Sequence, residues 1–253
     1  MRILTLLLLL TTATVSAQVK YGKITYLRTS EMTITINNDE PSPHDKQIKE
    51  MMAKMQASGA FNKTFHASFS PEAFNCVEEY KDPAESSTES GGSVIVIMTG
   101  DEDPRHYYTN VAKKEIMNYD LIFDKGFLVS GAAEAIDWTL TGEKVPPSEM
   151  TAGLDLLIAT GVTSQGDTLT AGYAPSLPAQ VGPMNYYGLP GAIITLEIPD
   201  GKSKTVYRAT NIEVSSGPIE IEQPSNGKPI SLEKFREQKA KREKTMTRQF
   251  MRG

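Results

Sequence analysis

A two-residue alternation of apolar and polar positions runs through most of this chain. Val19 to Tyr26 and Met32 to Ile36 alternate apolar residues with polar ones or threonine, as strands with one buried face do. A breaker cluster from Asn37 to Pro43 follows, and Asp45 to Ala57 then reads as a helix with Ile48, Met51, Met52 and Met55 on one face. Phe61, Phe65, Ala67 and Phe69 restore the period of two, whereas Lys81 to Gly92, rich in Ser and Glu, reads as a mobile loop. From Ser93 onward short apolar runs recur at Val94–Met98, Tyr107–Val111, Ile116–Phe123, Phe127–Ser130 and Ile136–Leu140. Further runs lie at Leu154–Ala159, Leu169–Tyr173, Ile193–Ile198, Thr205–Val214 and Ile219–Glu222. Turn signals such as Asp124-Lys125-Gly126 separate them, and no regular helical alternation suggests βαβ units.

The pattern predicts a mainly β fold: a curved, half-barrel-like antiparallel meander with one short internal helix and a C-terminal helix. A sheet of so many strands has to curl, close or split. Trp138, the only tryptophan, suits a core anchor where the sheet folds over. Pro229 stops the preceding strand, Ser231 supplies an N-cap and Glu233 sits in the first turn of the last helix. After Leu232 and Phe235 the apolar stripe of that helix lapses until Met246, Phe250 and Met251, so its second half has little to bury.

The two ends alter this picture. Arg2, an apolar run from Ile3 to Leu10 and the close Ala13-Thr14-Val15-Ser16-Ala17 form the three-part pattern of a secretory signal peptide, with cleavage expected after Ala17. That run is far short of the ~20 residues that span a bilayer. The expected organisation is a signal peptide at 1–17, a single mainly-β domain at 18–231 and a basic helix or tail at 232–253. Cys76 is the only cysteine, which excludes an internal disulfide and suits a small buried hydrophobe. From Leu232 to Gly253 there are eight Lys or Arg against three Glu, a balance of +5. The whole chain carries −5, so an acidic body bears a basic tail. That distribution does not suit a nucleic-acid binder, which needs a basic face on the folded domain; the tail reads as a solvated terminal helix, with contact to anionic lipid or an acidic partner as the alternative.

The densest backbone-restricting stretch is Val181-Gly182-Pro183-Met184-Asn185-Tyr186-Tyr187-Gly188-Leu189-Pro190-Gly191, leading into Ala192-Ile193-Ile194. Two Gly/Pro turns around two tyrosines imply a fixed local shape, and the segment holds no acid, base, nucleophile or metal ligand. Gly188-Leu189-Pro190-Gly191-Ala192-Ile193 resembles the signature hexapeptide of the GLPGLI family of exported Gram-negative envelope proteins, with Ala192 where the family usually has leucine. Trp138 followed by Gly142-Glu143-Lys144, the run Thr170 to Pro178, Gly182-Pro183 and the charged helix after Pro229-Ile230-Ser231 support the resemblance in order. Gly153 to Ala159 departs from the family's Gly-Tyr-x-Cys-x-Lys-Ala run, and Gly172 replaces a typical tryptophan. The resemblance implies an exported protein, periplasmic or associated with the outer membrane, with an all-β architecture and no established reaction.

Catalytic chemistry is sparse. His44, His66 and His106 are scattered, no nucleophile-elbow sequence is present, and the Ser231-to-Lys234 spacing lacks the companion motifs of penicillin-recognising enzymes. The best metal candidate is Asp101, Asp103 and His106, which would make a metal-dependent hydrolase with an acidic loop site; a solvated turn is the simpler reading. Met51, Met52 and Met55 read as core rather than a Cu(I) site. No cofactor is implied. The function expected is a non-enzymatic binding or interaction module for an apolar ligand or an envelope protein partner. Its candidate binding residues are Trp138, Tyr173, Gly182, Pro183, Tyr186, Tyr187, Gly188, Leu189, Pro190 and Gly191, the aromatic ones either lining a cleft or packing a sheet edge.

Overall fold

The computed structural model describes residues 20–31, 43–90, 93–101, 103–201 and 203–250. The expected signal peptide at 1–17 and the expected strand Met32–Ile36 lie outside them. In chain order the elements are β1 (Tyr21–Glu31), α1 (Pro43–Ala57), β2 (Lys63–Phe69), β3 (Ala73–Glu78), β4 (Lys81–Ser90), β5 (Ser93–Asp101), β6 (His106–Asn110), β7 (Glu115–Ile122) and β8 (Lys125–Ala132). Then come β9 (Asp137–Val145), a single 3₁₀ turn (Glu149–Thr151), β10 (Leu156–Val162), β11 (Thr168–Ala174), β12 (Ala192–Asp200), β13 (Ser203–Ser215), β14 (Lys228–Ser231) and α2 (Leu232–Phe250).

Twelve strands form one open sheet in the order β14-β8-β7-β6-β3-β2-β1-β13-β12-β11-β10-β9, and β4 pairs with β5 alone. The single meander expected from the sequence is thus two meanders joined at the centre, where β1 and β13 pair from Tyr21–Ser215 to Glu31–Lys204. One link dictates the shape. Strands β8 and β9 lie ten steps apart in the sheet, yet only Ala133 to Ile136 connect them. Laid flat, ten steps would span about 48 Å, whereas five Cα–Cα steps reach at most about 18 Å. The sheet therefore curls until its edges approach.

The inner face of the curl carries the core. Tyr26, Phe65, Phe69, Phe74, Leu169, Tyr173, Ile193 and Leu196 pack there with Cys76. On the seam between the edges, α2 lays Phe235 against Ile122, Phe127 and Val129, with the Phe127 and Phe235 rings 5.9 Å apart, edge to face. The Ser231 hydroxyl accepts from the Lys234 N–H at 3.4 Å, the cap expected of it. Glu134, in the short β8–β9 link, ties the seam from three sides. It receives Arg236 of α2 at 2.7 Å and both the N–H and hydroxyl of Ser164, in the β10–β11 turn, at 2.9 and 2.6 Å.

Several expectations need correction. Lys81–Ser90 is a strand, not a mobile loop: its composition hides a ladder supplied by β5, and Pro83 falls at the register shift where no donor is needed. Strand β3 escaped the alternation because five of its six residues are buried, on both faces. Ile219–Glu222 makes no ladder. It belongs to a strap that crosses the outer face, where the Glu222 carbonyl accepts from Asn75 Nδ2 at 3.2 Å and meets His106 Nε2 at 3.1 Å. Pro229 does not stop a strand but sits inside β14, the edge strand paired in parallel with β8.

Two outcomes follow. Phe235→Ala empties the seam cluster and lowers unfolding free energy by about 3 kcal/mol in urea titration; an unchanged midpoint would mean α2 does not hold the seam. Glu134 is the acid-sensitive tie. Burial pushes its pKa up, but the two Ser164 hydrogen bonds and Arg236 outweigh burial and leave it below the ordinary carboxylate value. A depressed folded pKa contributes stability above the unfolded value of about 4.3, lost as pH falls through the folded one. Emission from Trp138, on the neighbouring edge strand, should therefore shift below about pH 4, and Glu134→Gln should abolish that acid transition.

Candidate functional site

The Gly/Pro-rich segment identified in the sequence is the 17-residue loop, 175–191, between β11 and β12. Much of it is inside the fold. Leu177, Ala179, Val181 and Leu189 are buried within the main core, and Gly182, Pro183 and Gly191 are buried beside them. Backbone bonds fix its two arms, Ala192 N–H to the Leu177 carbonyl at 2.8 Å and Ile193 N–H to Val181 at 2.9 Å. Gln180 clamps the middle, donating to the Leu189 carbonyl at 2.8 Å and accepting from the Gly188 N–H at 3.1 Å.

From the β11–β12 side the loop reaches across the interior to the opposite wall. Asn185 and the Asn118 side chain of β7 exchange amide hydrogen bonds at 2.8 and 3.1 Å, and Asn185 also donates to Thr109 Oγ1 at 2.9 Å. The Tyr207 hydroxyl donates to the Met184 sulfur at 2.9 Å, and Tyr187 meets Phe74 edge-on at 6.0 Å. Trp138 stands half-buried on the edge strand β9 and donates from Nε1 to the Tyr187 carbonyl at 2.9 Å. Tyr173 is fully enclosed, Tyr186 and Tyr187 are half-buried, and Gly188 and Pro190 are exposed. The candidate binding residues thus converge on one place, and that place is a plug inside the curl. Asn185 is its principal tether. The sequence pattern does not single it out.

Gly191 shows why the segment needs its glycines. A Cβ there would stand 2.2 Å from the Ala174 carbonyl oxygen, a backbone atom that cannot swing aside. At Gly188 the backbone adopts φ +105° beneath the Trp138 ring, a region that L side chains avoid.

A second cluster was not anticipated. Glu78 is buried and held by Lys63 at 2.6 Å and Arg105 at 3.0 Å, while Arg105 Nε also engages Asp120 at 3.0 Å. Its signal was the strand phase: counting in twos from Phe65 and Cys76 places Lys63 and Glu78 on the inner face. Burial pulls the Lys63 pKa down against the opposing pull of Glu78. Burial also lowers that of Arg105, but Tyr107, Glu78 and Asp120 more than reverse it. Matched in this way, the charges act as a lock at one end of the core, and a cleft of about 310 Å³ opens beside Lys63 and Glu78.

The other candidates stand apart. Asp103 accepts from the Tyr119 hydroxyl at 2.8 Å, and His106 is engaged by the Glu222 carbonyl on the outer face. The side chain of Asp101 lies outside the described residues. Among the described residues no group of three or more His, Cys, Asp or Glu could hold a metal ion. His66 sits on the outer face of β2 near Thr25 and Glu79. Cys76 is free and completely buried, its thiol pushed up to about 12 chiefly by burial, so it packs as a hydrophobe and stays protonated at neutral pH.

A large concavity lies outside the core, between α2, β14 and the β7–β8 turn. It is a groove of about 1120 Å³ with an apolar floor of Ile122, Phe127, Pro229 and Ile230. Lys125, Lys228, Lys234, Lys241 and Arg242 rim it, with Asp124 the carboxylate among its lining.

Neither a family model nor a curated protein matches the chain. It is similar to the solved structure described as "Structure of PNGF-II in P21 space group", with a TM-score of 0.48 and 12% identity, over 88% of this chain and 34% of that one. This chain thus spans about a third of that structure, and a likeness so distant carries no argument. The plug itself generates a test. Gly191→Val, which drives a side chain into the Ala174 carbonyl, should destabilise the fold by about 3 kcal/mol in thermal or urea unfolding; wild-type stability would show the loop to be loosely held.

Proposed function

We propose that this protein is an exported envelope protein of the GLPGLI type that works as a non-enzymatic binding module, periplasmic or associated with the outer membrane. The observation that carries this reading is the division of labour between interior and surface. Leu189, Gly191, Ala192 and Ile193 of the hexapeptide, with Tyr186 and Tyr187 half-buried beside them, fill the inside of the curled sheet and brace it. The groove under α2 offers an apolar floor with a charged rim, the lining of a recognition site. The signature segment serves that groove indirectly, because the walls it braces, β6 and β7, carry the hairpin that forms one side of the groove. A partner that presents apolar and acidic groups together is the chemistry the lining suits.

Native mass spectrometry on the mature chain, purified gently from its own cell envelope, tests the proposal. A co-purifying partner is expected, and Gln238→Trp, which fills the groove from α2 without touching the core, should release it. Retention of the partner by that variant would move the binding surface elsewhere. A chelator-sensitive hydrolysis lost in Asp103→Asn and His106→Gln would replace the proposal with a metal-dependent hydrolase.

A further inference from the structure

The groove's rim differs from its floor in a way that identifies what approaches it. Five of its residues are cations, on a chain that is acidic as a whole. They come from three elements that the fold brings together: the start of β8 beside the β7–β8 turn, β14 and α2. At the tip of that turn stands Phe123, 51% exposed. Its backbone has φ +57°, a conformation rare for a bulky residue and kept only where the surroundings enforce it. The Arg242 guanidinium lies 5.9 Å from the centroid of its ring.

Phe123 belongs to the groove's lining and stands half exposed at the hairpin tip. An aromatic ring held out at a hairpin tip, with long basic side chains around it, is the arrangement that meets the boundary between lipid headgroups and acyl chains. The ring enters the apolar edge while the ammonium and guanidinium groups stay at phosphate level.

We infer that this face docks on an anionic phospholipid surface, with Phe123 as the apolar contact and Lys234, Lys241 and Arg242 as the principal headgroup contacts. The inference rests on the binding-module reading and names the chemistry of its partner. It describes a peripheral, salt-sensitive attachment, which a single hairpin tip and a handful of cations can supply and which a membrane-crossing helix would not resemble.

Sedimentation of the mature full-length chain with lipid vesicles tests it, comparing phosphatidylcholine alone with phosphatidylcholine containing one third phosphatidylglycerol. Binding to the acidic vesicles only, abolished by high salt, is expected. Lys234→Gln with Lys241→Gln should weaken partitioning by about tenfold or more, and Phe123→Ser by severalfold, each with an unchanged circular dichroism spectrum and melting temperature. Lys20→Gln with Lys23→Gln, exposed cations on β1, should leave binding intact. Absence of binding to acidic vesicles overturns the inference, as does binding that the groove variants do not alter. If a polyglutamate peptide binds in a Lys234- and Lys241-dependent way while vesicles do not, the face is a site for acidic protein segments and the lipid assignment fails. In that outcome a partner released by Gln238→Trp still upholds the binding-module reading, so the two can fail separately.

Discussion

The reciprocal amide pair between Asn185 and Asn118 is the tie on which the interior depends. A curled sheet with open edges has two walls that nothing in the backbone ladder holds face to face. The loop between β11 and β12 crosses that gap and ends in hydrogen bonds to the far wall, at 2.8 and 3.1 Å with Asn118 and 2.9 Å with Thr109. In a low-dielectric core such bonds are costly to leave unmade, so the loop has one satisfactory position. Its glycines permit the close approach and its prolines limit the alternatives. The two tyrosines and Met184 fill the remaining space.

Sealing the seam is a separate problem with a separate solution. Helix α2 lies where the edges meet, and its buried Phe235 does the packing while Arg236 reaches the Glu134 tie. The helix thereby leaves its Lys234, Gln238, Lys241 and Arg242 side for the groove. One element closes the fold and presents charge, which is why a basic helix can belong to an acidic protein without being a detached tail.

Much of the architecture was legible in the sequence because the period of two and the turn residues act locally. Strands β6, β7, β8, β11, β12 and β13, helix α1 and the Ser231 cap could all be read from neighbours a few residues apart. What escaped reading depended on distant partners. Strand β4 is polar and becomes a strand only because β5 pairs with it, and β3 is buried on both faces and so lacks alternation. The strap through Glu222 looks like a strand but runs over the sheet instead of within it. The same holds for the site. The Gly/Pro segment announced a fixed shape, yet whether its aromatic residues faced outward or inward was a property of the curl, set by the four-residue link from β8 to β9. Lys63 and Glu78 of the Lys63–Glu78–Arg105 lock were recoverable from strand phase, but Arg105, just before β6, comes from a distant part of the chain.

Strand β1 occupies the middle of the sheet, and one of its two neighbours, β13, arrives only when the chain is nearly complete, with Tyr21 opposite Ser215. Pairing across so long a stretch of chain is slow to form, because loop closure has to precede any gain from the contact. The first half of the polypeptide can build β2, β3 and β6 to β8 onto β1, but half of the wall around the core is then missing and the plug has not yet been made. Stable structure waits for the last quarter of the sequence. A topology that postpones folding until the end of synthesis keeps the chain unfolded and threadable until its last strands have been made.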